Sequence, residues 1–278
     1  MYDARAPTYE DDGEDGSSDF HKAQAKDYLE WMSLSPGTNV LDLACGTGGI
    51  TILAARAVGP SGTVIGVDIS PVSLNIARAK AIKESLPVAF YEHDISNLTG
   101  VEDIKEGTFD IVTCASAMVL LEDPADSVKH WAKLLKTGGK LIFDTSTNDS
   151  LVVGRCFDIV KEELHMFTVY GSKTALGTVS NVKQLLVDAG LDGTETFISR
   201  QYTEFKTIEE IDAGRGEDLF EKTMQREGWV KRWYDELKQP GVREKSKNIF
   251  CRQLNEMADE NGIVKSHFRF NVAVGKKI

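Results

Sequence analysis

Between residues 39 and 143, short apolar runs alternate with stretches of helical spacing. This rhythm marks repeated strand–helix–strand units around a parallel sheet buried on both faces. VLDL, at 40–43, reads as the first strand. Ile50, Leu53, Ala54, Ala57 and Val58 then recur at helical spacing, and Gly59-Pro60 supplies a glycine stop followed by proline. A second strand is expected at 63–69. Ser70-Pro71 gives the next helix an N-cap and a first-turn proline. Third and fourth strands are expected at 88–94 and 109–116. Asp123-Pro124 opens a helix with Val128, Trp131, Leu134 and Leu135 inward, Gly138-Gly139 is expected to end it, and a fifth strand follows at 140–145.

Beyond that point the rhythm loosens, and 148–177 reads as an insertion. A helix at 178–190, with Val182, Leu185, Leu186 and Ala189 aligned, precedes a sixth strand expected at 194–205. Residues 207–264 are polar and helical in pattern and exceed an ordinary connection, so they are expected to form a cap. Phe268, Phe270, Val272 and Val274 alternate in a last strand. The expectation is an α/β fold: a doubly wound, seven-stranded, mostly parallel sheet with a helical cap. Its segments are 1–37 closing over the ligand, the core at 38–147, the insertion at 148–177, a core helix and strand at 178–206, the cap at 207–265 and the final strand at 266–278.

The first strand runs into ACGTGG, at 44–49. Glycine at a strand-to-helix turn permits positive φ and lets a ligand approach main-chain amides. A dinucleotide pyrophosphate asks for a third glycine in GxGxxG, but that position is Thr51, and no GK[ST] ending marks a triphosphate loop. Asp68 follows Gly48 by about 20 residues, the separation at which an acid can reach ribose hydroxyls. Asp94 ends the third strand. A nucleoside without a phosphate chain fits all three strand ends, although a tight turn at the glycines and an Asx turn at Asp94 are the plain alternatives.

LDLACGTG, GVDIS, EHDISNL, FDIVTCASAMVLLEDP and LLKTGGKLIF, in this order, resemble the successive motifs of class I S-adenosylmethionine-dependent methyltransferases across 38–147. YDARAPTYED is similar to the opening of the ubiquinone and menaquinone C-methyltransferase-like group. The resemblance implies S-adenosylmethionine as cofactor. It implies that Ala44, Gly46 and Gly48 approach the methionine portion, with Asp42 helping to hold its ammonium. It places Asp68 on the ribose, Ile69, Asp94 and Ile95 at the adenine, Ala115 and Ser116 at the methionine, and Tyr9 over the carboxylate. Ala44 stands where many members have glycine.

Many small-molecule members carry a histidine just after the fourth strand, whereas this chain has Met118-Val119-Leu120-Leu121. The substrate-side candidates are therefore Met118, His165 as a base or contact in the insertion, Phe167, Tyr170, Trp229 and Trp233. For the aromatic residues, core packing is the competing role. Orienting two reactants away from water can supply most of the catalysis of methyl transfer, so no covalent residue is required.

The net charge of −11 opposes binding to a phosphate backbone. No Asn-Pro-Pro-type sequence follows the fourth strand, which argues against amino methylation of DNA bases. Four cysteines stand far apart with no CxxC pair, and the acidic 10–15 run lacks the ordered calcium pattern, so no metal is expected. No membrane span is expected, and the N-terminal sequence lacks the order of a signal peptide, which points to the cytoplasm. The expected partner is a small organic molecule, a secondary metabolite or quinone-like compound. A non-methylating, cyclase-like enzyme on the same fold and an NAD-dependent oxidoreductase are the competing functions.

Overall fold

The computed structural model describes residues 6, 17–166, 176–202, 209–225 and 234–278. Successive strand residues face opposite ways, and the apolar ones divide between two cores. Leu41, Ile65, Val112, Leu141 and Phe143 point to a core shared with Trp131, Val182 and Leu186. Val40, Val64, Ile111 and Ile142 point to a second core with Tyr28, Met32, Ala54 and Val58. A sheet covered on both faces follows from this period of two.

The elements run α1 (Ser17–Met32), β1 (Asn39–Leu43), α2 (Gly49–Val58), β2 (Thr63–Asp68), α3 (Pro71–Lys83), β3 (Val88–Glu92) and β4 (Phe109–Cys114). They continue with α4 (Pro124–Leu134), β5 (Leu135–Ser146), α5 (Val152–Glu163), α6 (Val179–Asp188), β6 (Leu191–Ile198) and β7 (Glu209–Asp212). α7 (Gly216–Met224), α8 (Arg243–Met257), β8 (Ile263–Ser266) and β9 (Phe270–Lys277) complete them. The main sheet has seven strands in the order β3-β2-β1-β4-β5-β9-β6. Its first five strands are parallel, and β9 runs antiparallel to both β5 and β6. The strand order reverses beside β1, the position at which such sheets leave a crevice outside the carboxyl ends.

Local signals explain most boundaries. Ser70 Oγ accepts from Ser73 N, and the Asp123 side chain accepts from Asp126 N, capping α3 and α4. The Gly138-Gly139 pair does not end α4, which stops at Leu134. The pair lies within β5, beside a register irregularity against β4. A Cβ on Gly139 would come within 3.0 Å of three carbonyl oxygens, so glycine is what this strand path requires. β6 begins earlier than expected, directly after Gly190 turns the chain with φ of 76°.

The block expected to be a helical cap also contains a two-stranded ribbon, β7 paired antiparallel with β8. Helix α5 of the insertion joins it: Phe157 lies 5.4 Å from Phe220 and 4.7 Å from both Tyr234 and Phe250, ring centre to ring centre. Helix α5 and the described residues of 211–264 thus share one aromatic core of their own. Phe157 and Tyr234 serve that core.

Candidate functional site

The loop after β1 is built from left-handed backbone. Ala44, Gly46 and Gly48 have φ of 53°, 53° and 85°. A side chain on Gly46 would meet nothing within 4 Å, so its backbone borders open space. Gly48 differs: a Cβ there would lie 3.0 Å from Ala77 Cβ, and its bareness lets α3 pack against the start of α2. Thr51, at the place of a third glycine, is fully buried, and its hydroxyl donates to Asp42 Oδ2 at 2.5 Å. Thr113 Oγ1 donates to Asp42 Oδ1 at 2.8 Å. Burial nevertheless raises the Asp42 carboxyl to about 6, against the lowering effect of these two bonds.

Asp42, Ala44, Gly46, Gly48, Ala115 and Ser116 line one cleft of about 380 Å³, with Gln24 and Ala25 of α1 forming an opposing wall. Lys22, Lys26, Arg56 and Lys80 also line it, a cationic group in an acidic chain. Arg56 makes a paired contact with Glu84, and Lys80 donates to the Thr47 carbonyl at 2.9 Å. Asp68 is tied to the cleft through the loop, since Gly46 N donates to Oδ2 and Ser70 N to Oδ1, both at 2.8 Å.

Ile69, Asp94 and Ile95 lie outside that lining, past the carboxyl ends of β2 and β3. Ile69 is 58% exposed, an apolar side chain left facing outward just past the end of β2. Asp94 is exposed, and its Oδ1 accepts from Ser96 N at 2.8 Å in an Asx turn. Ile95 is buried, and its carbonyl accepts from Trp131 Nε1 at 2.7 Å. His130 Nε2 accepts from Leu98 N at 2.9 Å, so two side chains of α4 pin this turn.

Met118, expected toward the substrate, is fully buried in the core beneath the sheet's crevice, because its single-turn helix directs it inward. His165 lies two residues past α5, exposed, with φ of 54°, and does not line the cleft. Tyr9, Phe167, Tyr170, Trp229 and Trp233 lie outside the described residues. Cys45 and Cys114 are buried, and burial pushes both thiols up, which disfavours the thiolate form. Among the described residues, no cluster of three or more His, Cys, Asp or Glu could hold a metal ion. Among them, too, no helix is long and apolar enough to cross a membrane.

Sequence reasoning missed Asp144, Tyr28 and Gln24. Asp144 sits on β5 one residue past Phe143, which is level with Cys114. Tyr28 Oη donates to Asp144 Oδ2 at 2.6 Å, Gln24 Nε2 donates to the same oxygen at 2.9 Å, and Ser116 N donates to Oδ1 at 3.1 Å. Gln24 Nε2 also reaches Ser116 Oγ at 2.8 Å. Burial raises the Asp144 carboxyl to about 6 despite these bonds. The available signal was one acid inside the apolar run LIFDT, since a buried charge needs partners.

Residues 34–210 match the family described as methyltransferase domain. The demethylmenaquinone methyltransferase of Halalkalibacterium halodurans is 34% identical over 44% of this chain and 49% of its own length. The chain thus spans about half the length of the curated relatives it matches. The magnesium protoporphyrin IX methyltransferase of Synechocystis PCC 6803, solved with bound S-adenosylmethionine, shares the fold with TM-score 0.51 and 14% identity over 94% of this chain and 81% of that one. The [4+2]-cyclase SpnF shares it with TM-score 0.57 and 17% identity over 100% and 94%.

Proposed function

Because the chain belongs to the methyltransferase domain family, we propose that it transfers the methyl group of S-adenosylmethionine to a small, quinone-like organic acceptor. One observation carries this reading: the glycine loop, the end of β4 and α1 enclose a single cleft. Its backbone is open at Gly46 and has an acid at the end of the adjacent strand. These residues fit the cofactor. Bare left-handed backbone admits a methionine chain, and Asp68, the acid that ends β2, holds the loop through Gly46 N in the position where a carboxylate can meet ribose hydroxyls. The exposed face of Ile69 offers apolar surface for a purine.

S-adenosylmethionine, when bound, supplies an electrophilic methyl group on a sulfonium. The chain's part is to hold the two reactants in line and keep water away, which accounts for large rate effects without a covalent intermediate. In this reading Ala44, Gly46, Ala115 and Ser116 border the methionine end, Gln24 on α1 covers it, and Asp94 and Ile95 sit at the adenine end. The quinone-like acceptor is supported by the names of the curated relatives, and a separate aromatic cap suits a concave site for an organic molecule.

The test is incubation with methyl-labelled S-adenosylmethionine and a panel of reduced, demethylated quinones, alongside protein and RNA. Label is expected on a quinol, with an equal amount of S-adenosylhomocysteine. Label on protein or RNA alone would reject the acceptor class. Conversion of the organic substrate without S-adenosylhomocysteine would assign the fold to a non-methylating reaction.

A further inference from the structure

Asp144 lies behind the wall of the cleft rather than in its lining. It is nearly inaccessible, and among the described residues it forms no ion pair. Its partners come from two different elements. Tyr28 and Gln24 belong to α1, which packs on one face of the sheet, and Ser116 follows β4. Ser116 has φ of 54°, a left-handed conformation that costs a non-glycine residue energy and needs outside support. Its N–H points to Asp144 Oδ1 and its hydroxyl meets the Gln24 carboxamide, and both Ser116 and Gln24 face the cleft. One carboxylate therefore fixes both walls of the methionine end.

The geometry points to Asp144 as a positioning residue for cofactor binding: it holds Ser116 in its left-handed turn and latches α1, through Gln24 and Tyr28, over the methionine end of the cleft. The inference rests on the reading of this cleft as the methionine site. A carboxylate is suited to the task because it is acceptor-only and takes three donors at once. Asparagine in its place would turn one oxygen into a donor facing another donor, while keeping the shape.

The experiment titrates the full chain with S-adenosylhomocysteine and, separately, with methylthioadenosine, which carries the nucleoside but no amino-acid portion. In Asp144→Asn, affinity for S-adenosylhomocysteine is expected to fall about tenfold or more while affinity for methylthioadenosine stays within about twofold of wild type; a tenfold change corresponds to 1.4 kcal/mol. Tyr28→Phe is the gentler variant. It removes one donor without touching the cleft, and is expected to lower S-adenosylhomocysteine affinity several-fold in the same ligand-selective way. Equal losses for both ligands, or no loss in either variant, would overturn the positioning role and leave Asp144 a purely structural acid. A wild-type chain that binds methylthioadenosine as tightly as S-adenosylhomocysteine would overturn the methionine site itself, and the inference with it.

Discussion

At the scale of single residues, the two glycines of the loop have different duties, and the difference is measurable. Both have positive φ, so alanine at either position should cost about 1–2 kcal/mol of stability from the backbone alone. At Gly48 the new methyl group also presses on Ala77, so urea unfolding should show the larger loss there. At Gly46 the methyl group enters open cleft, so affinity for S-adenosylhomocysteine should fall far more than in Gly48→Ala. Equal binding losses would remove the distinction. Asp42 and Asp144 supply a second test, because burial raises both carboxyls from the ordinary range to about 6. A carboxyl raised in the folded state stabilises the fold when protonated. That contribution is complete below about 4 and is lost as pH rises through about 6. Binding of a sulfonium cation favours the ionised forms, so affinity for S-adenosylmethionine should rise between pH 5 and 7.5 more steeply than affinity for the uncharged-sulfur product. Parallel slopes in calorimetry would contradict this.

Among the elements, α4 ties the core to the turn after β3, the end of the crevice proposed above for the nucleoside. Its Trp131 and His130 hold the 94–98 turn through Ile95 O and Leu98 N, and the His130 bond requires a neutral ring nitrogen. Burial, with nearby Lys133, lowers the His130 imidazole below its ordinary value, while Glu106 opposes the shift. A histidine lowered in the folded state favours the fold above the ordinary value near 6.5, and this contribution is lost as pH falls below it. His130→Gln, which keeps an acceptor, should therefore flatten the acid limb of S-adenosylhomocysteine binding. His130→Ala should weaken binding at every pH, by the loss of about one hydrogen bond, or roughly 1 kcal/mol. Identical profiles for the two variants would rule out the acceptor role.

Most elements could be read in advance because their signals are local. Strand alternation, the Ser70 and Asp123 caps and the glycine turn each act within a few residues. Gly138-Gly139 misled because glycine ends helices and bulged strands alike, and only the pairing of β5 with β4 decides which. The ribbon of β7 and β8 joins segments about 50 residues apart, and no short window contains that pairing. The same limit hid Asp144: its partners Tyr28 and Gln24 lie more than 100 residues away in sequence. Met118 was placed on the substrate side from its position after β4, but packing turned the side chain inward.

As a whole, the described residues form a doubly covered sheet with a separate aromatic core beside it. The sheet sets the cleft where the strand order reverses, and Gln24 and Ala25 of α1 form one wall of it. The central claim is that this crevice takes a methyl donor rather than a dinucleotide. It is tested most directly by calorimetric titration of the wild-type chain with S-adenosylhomocysteine and with NADH under the same conditions. One-to-one binding of S-adenosylhomocysteine is expected, with none of comparable strength for NADH; tighter binding of NADH would contradict a methyl-donor crevice.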